Sequence, residues 1–233
     1  MTYQELKTEL IKIGVEVNDK QIDELQTYLS FLLEYNKNVN LTAIRDEEEA
    51  IEKHLFDSIL PSTSYDFNNK NIIDVGSGAG FPGIPLAIIF KNSKFTLLEP
   101  IAKKAKFLSL VVEKLNLKNV EVLVKRSEDL KDRKESYDIA ISRAVARLNI
   151  LLEIIMHLLK VNGVFIAMKS QLVDEEVAEA KVAFRELHSS ILINIKNELP
   201  FSHEMRSNIV IKKDSTTPNK YPRPYAKIIK RPL

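Results

Sequence analysis

The stretch that most constrains the fold runs from residue 71 to 91, where a short apolar segment, a glycine-rich loop and a second apolar segment follow one another. Four of the chain's six glycines lie in this loop, at Gly76, Gly78, Gly80 and Gly83. Glycine adopts backbone angles that are closed to other residues and lets a ligand approach the main chain. Between a strand and a helix, such a loop predicts a nucleotide-type cofactor bound at the helix N-terminus.

Asp74, two positions before Gly76, indicates which cofactor the loop binds. The spacing Gly78-x-Gly80-x-x-Gly83 matches the dinucleotide fingerprint, but that match is weak by itself. NAD or FAD would bring a doubly negative pyrophosphate to this carboxylate, whereas S-adenosylmethionine brings a sulfonium and an ammonium. At about 5 Å and an effective dielectric of about 20, each such attraction contributes about 3 kcal/mol. The charge favours S-adenosylmethionine; the alternative is that Asp74 only accepts N–H bonds from the loop.

Strand and helix patterns alternate from residue 71 onward. This alternation predicts an α/β fold, a doubly wound and mostly parallel sheet with helices on both faces. The last two β-rich stretches, 191–199 and 208–212, are predicted to form an antiparallel edge. A helix from 148 to 160 is predicted to stop at Val161-Asn162-Gly163.

Three helices are predicted before the sheet, at 3–13, 19–37 and 46–60, the last with a capping-box pattern at Asp46-x-x-Glu49 and an end at Pro61. The chain is therefore divided into a helical N-terminal extension packed on the core (1–62), a cofactor-binding domain (63–212) and a basic C-terminal tail (213–233).

Ligands of such sheets bind beyond the carboxyl ends of the strands. Five predicted strand ends carry polar groups there: Asp74, Glu99, Ser127 with Glu128, Arg143, and Lys169. Glu99 occupies the second-strand position from which an acid can bind both ribose hydroxyls; its alternative is a surface carboxylate facing Lys103 or Lys104.

The other three groups also have alternatives. Ser127 and Glu128 are candidate adenine contacts, or they cap a helix. Arg143 is a candidate anchor for the cofactor or a substrate phosphate, and the only candidate for a catalytic role; alternatively, it forms a salt bridge with a nearby acid. Lys169 is a candidate phosphate contact or a surface lysine.

Composition narrows the function classes. The chain is 45% hydrophobic and 28% charged, as in soluble globular proteins. No apolar run reaches the roughly 20 residues that a membrane span needs, and the N-terminus has no signal-peptide pattern. We therefore expect a cytoplasmic protein without membrane contact. The absence of cysteine excludes disulfides and thiolate chemistry, including the thiolate that cytosine C5 methylation usually needs. The four histidines, His54, His157, His188 and His203, are interpreted as structural or surface residues, and no metal is expected.

The net charge of +2 is unevenly distributed. Residues 212–233 carry seven Lys or Arg and one Asp, a net of +6, which leaves −4 for the rest of the chain. A basic tail on a slightly acidic body predicts a polyanionic partner. The candidate RNA contacts are Lys169, Lys220, Arg223, Lys227, Lys230 and Arg231.

Several motifs together resemble the RsmG (glucose-inhibited division protein B) family of small-subunit rRNA methyltransferases. They are Asn40-Leu41-Thr42, His54-x-x-Asp57-Ser58, the glycine-rich stretch 73–86, Lys103-Lys104 with Phe107-Leu108, Ser142-Arg143-Ala144 and Tyr221-Pro222-Arg223. Two positions depart from the family pattern: Ser170 stands where a glycine is usual, and Pro224-Tyr225-Ala226 interrupts the usual tail.

The resemblance implies a class I, Rossmann-like methyltransferase that uses S-adenosylmethionine to modify N7 of a guanine in a conserved loop of 16S rRNA. Its partner would be the small ribosomal subunit or an assembly intermediate, and we expect a monomer. By resemblance, cofactor contacts fall on Gly76, Phe81, Ser127, Glu128 and Arg143, with Glu99 at the ribose.

This reaction needs no general base, because guanine N7 carries a lone pair and no proton. The chain is consistent with this, because it lacks the Asn/Asp-Pro-Pro-Tyr/Phe segment of methyltransferases that act on exocyclic amines. Ser142-Arg143-Ala144 stands in that position. A cation beside a ring that gains positive charge is unfavourable, so Arg143 is expected to face the cofactor carboxylate or an RNA phosphate. The alternatives are a methyltransferase acting on a small molecule or another RNA, an NAD-dependent oxidoreductase and a non-catalytic RNA-binding module.

Overall fold

A seven-stranded sheet forms the centre of the protein, in a computed structural model that describes residues 1–170 and 173–233. The strands are β1 (Asn71–Val75), β2 (Lys94–Leu98), β3 (Val120–Leu123), β4 (Tyr137–Arg143), β5 (Leu159–Lys169), β6 (Ser189–Glu198) and β7 (Met205–Lys213). Their order is β3-β2-β1-β4-β5-β7-β6. Strands β1 to β5 pair in parallel, and β7 pairs antiparallel with both β5 and β6. The predicted doubly wound sheet with an antiparallel edge is confirmed.

Helices cover both faces of the sheet. They are α1 (Tyr3–Lys12), α2 (Asp19–Asn36), α3 (Glu47–Ala50), α4 (Asp57–Ile59), α5 (Gly83–Ile89), α6 (Ala102–Lys114), α7 (Leu148–Ile155), α8 (Val173–Glu179), α9 (Lys181–Glu186) and α10 (Tyr225–Lys230). Among the described residues, no helix is both long enough and apolar enough to cross a membrane.

The third predicted helix is less regular than its sequence suggests. Asp46 caps α3 as predicted, accepting the Glu49 N–H at 2.8 Å, but the Glu49 carboxylate binds Lys53 instead of completing a capping box. A π-helical segment, Ile51–Phe56, separates α3 from α4. The prediction that Pro61 ends the helix is wrong, because a 3-10 turn continues through Leu60–Thr63.

The helix stop predicted at Val161-Asn162-Gly163 is also wrong. Helix α7 ends at Ile155 and a 3-10 turn follows, so these three residues belong to β5. The local turn signal is nevertheless expressed, because the β4–β5 register passes from Tyr137↔Leu159 directly to Ile139↔Val164 and residues 160–163 form a bulge, with Asn162 at a φ of 68°. The turn lies at the start of β5 and not at the end of a helix.

The N-terminal helices share one apolar core with the sheet and its helices. Leu25, Tyr28 and Leu32 of α2 are fully buried in the same cluster as Ile84 of α5 and Phe107 of α6. Tyr28 is therefore a packing residue of this core. Its hydroxyl also donates to the Ala79 carbonyl in the glycine loop at 2.7 Å, so α2 supports that loop directly.

The C-terminal segment folds back on the opposite face. Tyr221 and Ile228 are buried in a cluster that also contains Leu151 and Leu152 of α7. Lys213, at the start of the predicted basic tail, is itself fully buried and pairs with Glu135 at 2.9 Å. Residues 213–233 are therefore a packed part of the fold, and part of their charge is used in internal contacts.

Candidate active site

The glycine loop follows β1 directly and leads into α5. Gly76, Gly78 and Gly80 have φ angles of 79°, 59° and 107°, in the region that favours glycine. A Cβ atom at Gly76 would lie 2.5 Å from a methyl group of Val145, in the loop after β4. Gly76 is therefore required both by its backbone angle and by the close approach of the β4 loop.

Asp74, at the end of β1, binds the far end of the glycine loop through its side chain. Its side chain is completely buried, and Oδ2 accepts the Gly83 N–H at 3.0 Å. Oδ1 is buried with no hydrogen-bond partner among the described residues. Burial raises the pKa of Asp74 to about 7, although the nearby Ser77 hydroxyl and the bond from the Gly83 N–H lower it. The loop-capping role is thus observed, while attraction of a cationic cofactor remains a prediction.

Glu99 lies against the same loop from β2. It is almost fully buried, and its two oxygens accept the N–H groups of Gly78 and Ile101, each at 2.9 Å. The alternative of a surface carboxylate facing Lys103 or Lys104 is therefore wrong. Glu99 stands beside the glycine loop, where the sequence predicts contact with a ribose.

The turn after β3 contains the next predicted cofactor residues, Ser127 and Glu128. A 3-10 turn spans Ser127–Asp129, and the Ser127 hydroxyl points inward and donates to the Ile154 carbonyl. His157 Nε2 lies 3.2 Å from the Ser127 carbonyl oxygen and donates to it. Ser127 does not cap the turn with its side chain, so a ligand here would meet the turn's backbone and the half-buried Glu128.

Arg143, at the end of β4, links the glycine loop to the N-terminal helices. Its Nη1 donates to Asp57 Oδ2 at 2.9 Å and to the Lys53 carbonyl at 3.0 Å. The guanidinium lies 5.0 Å from the centroid of the Phe81 ring, a cation–π contact. The salt-bridge alternative is therefore confirmed, and its partner comes from the segment that follows the π-helical turn.

His54 is the site residue that the sequence interpretation misses. Its ring stacks on Phe81 with centroids 4.4 Å apart, and Nε2 lies 2.7 Å from Thr42 Oγ1. Burial and the charge of Arg143 lower the pKa of His54 to about 3, so the ring is neutral at physiological pH. The available signal was the i, i+3 spacing of His54 and Asp57, which places both on one side of a helix.

A cleft of about 660 Å³ opens beside Arg143, bounded by the π-helical segment, the loop after β4 and the ends of β5 and β7. Its charged lining residues are Lys53, Asp57, Arg143, Arg147, Lys169, Glu176, Glu204 and Arg206, and His54 also lines it. The predicted cofactor residues at Gly76 to Glu128 do not line this cleft; only Arg143 belongs to both places.

Ion pairs engage every carboxylate that lines the cleft. Asp57 lies between Arg143 at 2.9 Å and Arg206 at 3.3 Å. Glu204 pairs with Lys53 at 2.6 Å and Arg206 at 2.8 Å, and the bond from Lys53 lowers the pKa of this carboxyl group.

Lys169 pairs with Glu176 at 2.7 Å and donates to the Ala146 carbonyl at 2.8 Å. The surface-lysine alternative is therefore wrong, since only 11% of its side chain is exposed. A phosphate could bind Lys169 only in competition with Glu176. In this arrangement Lys169 holds the loop after β4 against α8.

The predicted RNA contacts in the tail divide into two groups. Arg223 binds the fully buried carboxylate of Glu153 through Nε at 2.7 Å and Nη2 at 2.6 Å, so its assignment as a phosphate contact needs correction. Lys220 is mostly exposed and pairs with Glu186 at 3.0 Å. The remaining three cations are exposed and form no ion pair with the described residues: Lys227, Lys230 and Arg231.

Within residues 1–170 and 173–233, no group of three or more His, Cys, Asp or Glu side chains is arranged to hold a metal ion.

Comparisons with known proteins agree with this architecture. The model of the GidB family, described as rRNA small subunit methyltransferase G, matches residues 21–203. A protein of that name from Fusobacterium nucleatum is 43% identical over 228 residues, covering 97% of this chain and 98% of the relative. Another from Staphylococcus saprophyticus is 43% identical over 231 residues, covering 98% and 97%.

Solved structures with lower identity show the fold alone. A SAM-dependent methyltransferase from Aquifex aeolicus superposes with a TM-score of 0.56 at 18% identity, covering 71% of this chain and 93% of that one. TYW2 from M. jannaschii, solved in complex with AdoMet, gives a TM-score of 0.53 at 17% identity, covering 67% and 74%.

Proposed function

The chain belongs to the rRNA small subunit methyltransferase G family, and from this premise we propose that it transfers a methyl group from S-adenosylmethionine to N7 of a guanine in a conserved loop of 16S rRNA. Family membership supports the rRNA methyltransferase activity. The guanine, its N7 atom and the loop are the specific part of the proposal.

The placement of the cofactor follows from the strand order. The order of the sheet reverses between β1 and β4, and open α/β sheets bind ligands at such a switch point. We place the ribose at Glu99 and the adenine at the turn 127–129, both on the β2–β3 side of the glycine loop. The methyl group would then point across Phe81 and Arg143 into the cleft, which takes the acceptor base.

The observation that carries the choice of atom is the state of the polar groups around that cleft. Each carboxylate that lines it is held by a lysine or an arginine. His54 is a very weak base, because its pKa is lowered to about 3 and its Nε2 is bonded to Thr42. A reaction that needed proton removal would need a base with a pKa near the working pH. Guanine N7 requires none, and positioning for in-line attack on the methyl group suffices.

The charge arrangement also suits an acceptor that becomes cationic. Arg143 lies at the edge of the cleft, but Asp57 offsets its charge at 2.9 Å. His54 is uncharged at neutral pH for the reason given above. A methylated guanine ring would therefore not lie beside an isolated positive charge. In this proposal Arg143 aligns Phe81 and the π-helical segment around the cofactor and does not contact the base.

The exposed cations of α10 and the chain end would contact RNA phosphates. Lys227, Lys230 and Arg231 are exposed, and the N-terminal residue of α10 contacts Arg126 at the carboxyl rim of the sheet. Phosphate contacts position RNA and make its binding salt-dependent. Because Tyr221 and Ile228 are buried, deleting the tail would damage the fold, so charge neutralisation is the sharper test.

The deciding experiment is transfer of a labelled methyl group from S-adenosylmethionine to RNA from cells that lack the enzyme, followed by N7-specific strand cleavage. Free 16S rRNA, assembly intermediates and mature small subunits are offered separately, which also identifies the substrate form in the cytoplasm. We expect one labelled guanine. Arg143→Ala should abolish the labelling, whereas Arg185→Ala, which changes an exposed arginine of α9 outside the cleft, should largely retain it.

Two outcomes would count against the proposal. If S-adenosylmethionine binds but no RNA is labelled, or if label appears without cleavage at N7, the acceptor assignment fails while the cofactor assignment stands. If Arg143→Ala binds cofactor and RNA like the parent and transfers methyl at the parental rate, the role given to Arg143 fails.

A further inference from the structure

The C-terminal residues 217–233, here called the tail strap, are clamped onto α7. The Arg223 guanidinium makes two bonds to the buried carboxylate of Glu153, at 2.7 and 2.6 Å, and the Arg223 N–H donates to the same group at 2.9 Å. Tyr221 and Ile228 are buried beside α7, and the Asn149 side chain donates to the Leu233 carbonyl at 3.4 Å. The tail strap is thus held at several points along its length.

The same part of α7 also holds the turn after β3, where we place the adenine. Ile154, the residue after Glu153, accepts the Ser127 hydroxyl through its carbonyl oxygen. His157, in the 3-10 turn that follows α7, donates to the Ser127 carbonyl at 3.2 Å. Glu153 and Ile154, which are consecutive residues of α7, therefore bind the tail strap and the turn after β3, respectively.

The tail strap also contacts the turn after β3 directly. The Arg126 guanidinium lies 4.8 Å from the centroid of the Tyr225 ring, so the first residue of α10 lies under the side chain that begins the turn. The Arg126 carbonyl accepts the Asp129 N–H at 3.1 Å, the bond that closes the turn. Leu130, at the other end of the turn, is buried in the cluster that contains Tyr221.

We propose that the tail strap is a positioning element for the adenosine end of the cofactor, and that Tyr225 acts as a positioning residue through Arg126. Without the ring, the Arg126 side chain loses this support, and the turn keeps its backbone bonds, the bonds of Ser127 and the burial of Leu130. The tail would then affect cofactor binding through the turn, in addition to any contact it makes with RNA. This inference rests on the proposed function, because it needs a cofactor whose adenine lies at this turn.

The test compares variants of the full chain. Tyr225→Ala removes the ring at a half-buried position and leaves no buried charge unpaired. A cation–π contact of this exposure is worth a factor of about 2 to 5 in an equilibrium constant, so the Kd for S-adenosylmethionine and S-adenosylhomocysteine should rise by about that factor. The KM for the cofactor should rise with it, while kcat at saturating cofactor should stay within about twofold.

Three further single variants and one double variant separate a positioning role from a general loss of folding. Tyr225→Phe keeps the aromatic face and should bind cofactor like the parent. Ile229→Ala changes an exposed side chain on the same helix and should also have no effect. Arg126→Ala should weaken cofactor binding as Tyr225→Ala does, and the double variant should be no weaker than either single variant, because the two residues act through one contact.

Three results would overturn the inference. The first is a folded Tyr225→Ala variant whose cofactor Kd equals that of the parent. The second is an equal loss in Tyr225→Phe, and the third is full additivity in the double variant. If the parent itself fails to bind S-adenosylmethionine, the proposed function fails instead, so the two failures are distinguishable.

Discussion

Replacing Asp74 by asparagine tests what the most buried carboxyl group of the crevice does. Asp74 is completely buried, and its pKa is raised from an ordinary value of 3.8 to about 7, with burial as the main cause. Asparagine keeps an oxygen that can accept the Gly83 N–H, now bound at 3.0 Å, but it cannot ionise. The substitution therefore removes the titration and keeps the loop cap.

The sign of the stability effect follows from the two pKa values. Between about pH 4 and pH 7 the folded protein retains a proton on Asp74 that the unfolded chain has lost, so stability falls as the pH rises. One pKa unit corresponds to about 1.4 kcal/mol, which gives a total loss of up to about 4 kcal/mol, and about 3 kcal/mol of it between about pH 5 and pH 8. Asp74→Asn should lack this decline.

Urea unfolding of the cofactor-free protein at several pH values measures this slope. The matched control is Asp138→Asn, at the amino end of β4. Burial raises the pKa of Asp138, but bonds from Lys160 and the Asn71 N–H lower it by more, so the carboxyl titrates below its ordinary range. Asp138→Asn should therefore leave the slope between about pH 5 and pH 8 unchanged.

Cofactor binding to the same variant decides between the two roles of Asp74. If the ionised carboxylate attracts the sulfonium and ammonium, wild-type affinity should rise from about pH 5 to pH 8. At about pH 8, Asp74→Asn should bind up to about 100-fold more weakly for each of the two attractions that is lost, since each is worth about 3 kcal/mol at most. Equal stability slopes in variant and parent would refute the burial argument. Equal cofactor affinities at pH 8 would leave Asp74 as a loop cap only.

Three further outcomes can be checked. Tyr28→Phe leaves a buried loop carbonyl without its donor and should cost about 1–3 kcal/mol in urea unfolding; an unchanged midpoint would mean that α2 does not support the loop. Gly76→Ala should abolish cofactor binding in a titration, because its Cβ would lie 2.5 Å from Val145 at a φ of 79°. The double variant Lys227→Gln/Lys230→Gln should reduce the slope of log K against log salt for RNA binding by about 1.4, and an unchanged slope would exclude these lysines as phosphate contacts.

Much of the fold could be predicted because its signals are local. The glycine cluster, the acid before it and the alternating strand and helix patterns predict the sheet and the loop without any long-range information. The antiparallel edge also follows, since two β-rich stretches near the end of the domain are joined too closely for a helical crossover. The prediction fails at Val161-Asn162-Gly163, where the helix has already ended at Ile155 and the turn is instead a bulge at the start of β5.

The state of the site's charged groups was decided only by tertiary structure. Arg143 pairs with Asp57, and Arg223 binds Glu153, across long stretches of sequence. His54 becomes a neutral member of the cleft because it is buried beside Arg143. The sequence by itself determined which side chains are available and at which ends of strands they lie. Ion pairing, burial and pKa depend on distances in space, so only the folded chain decided which charges are free to meet a cofactor or RNA.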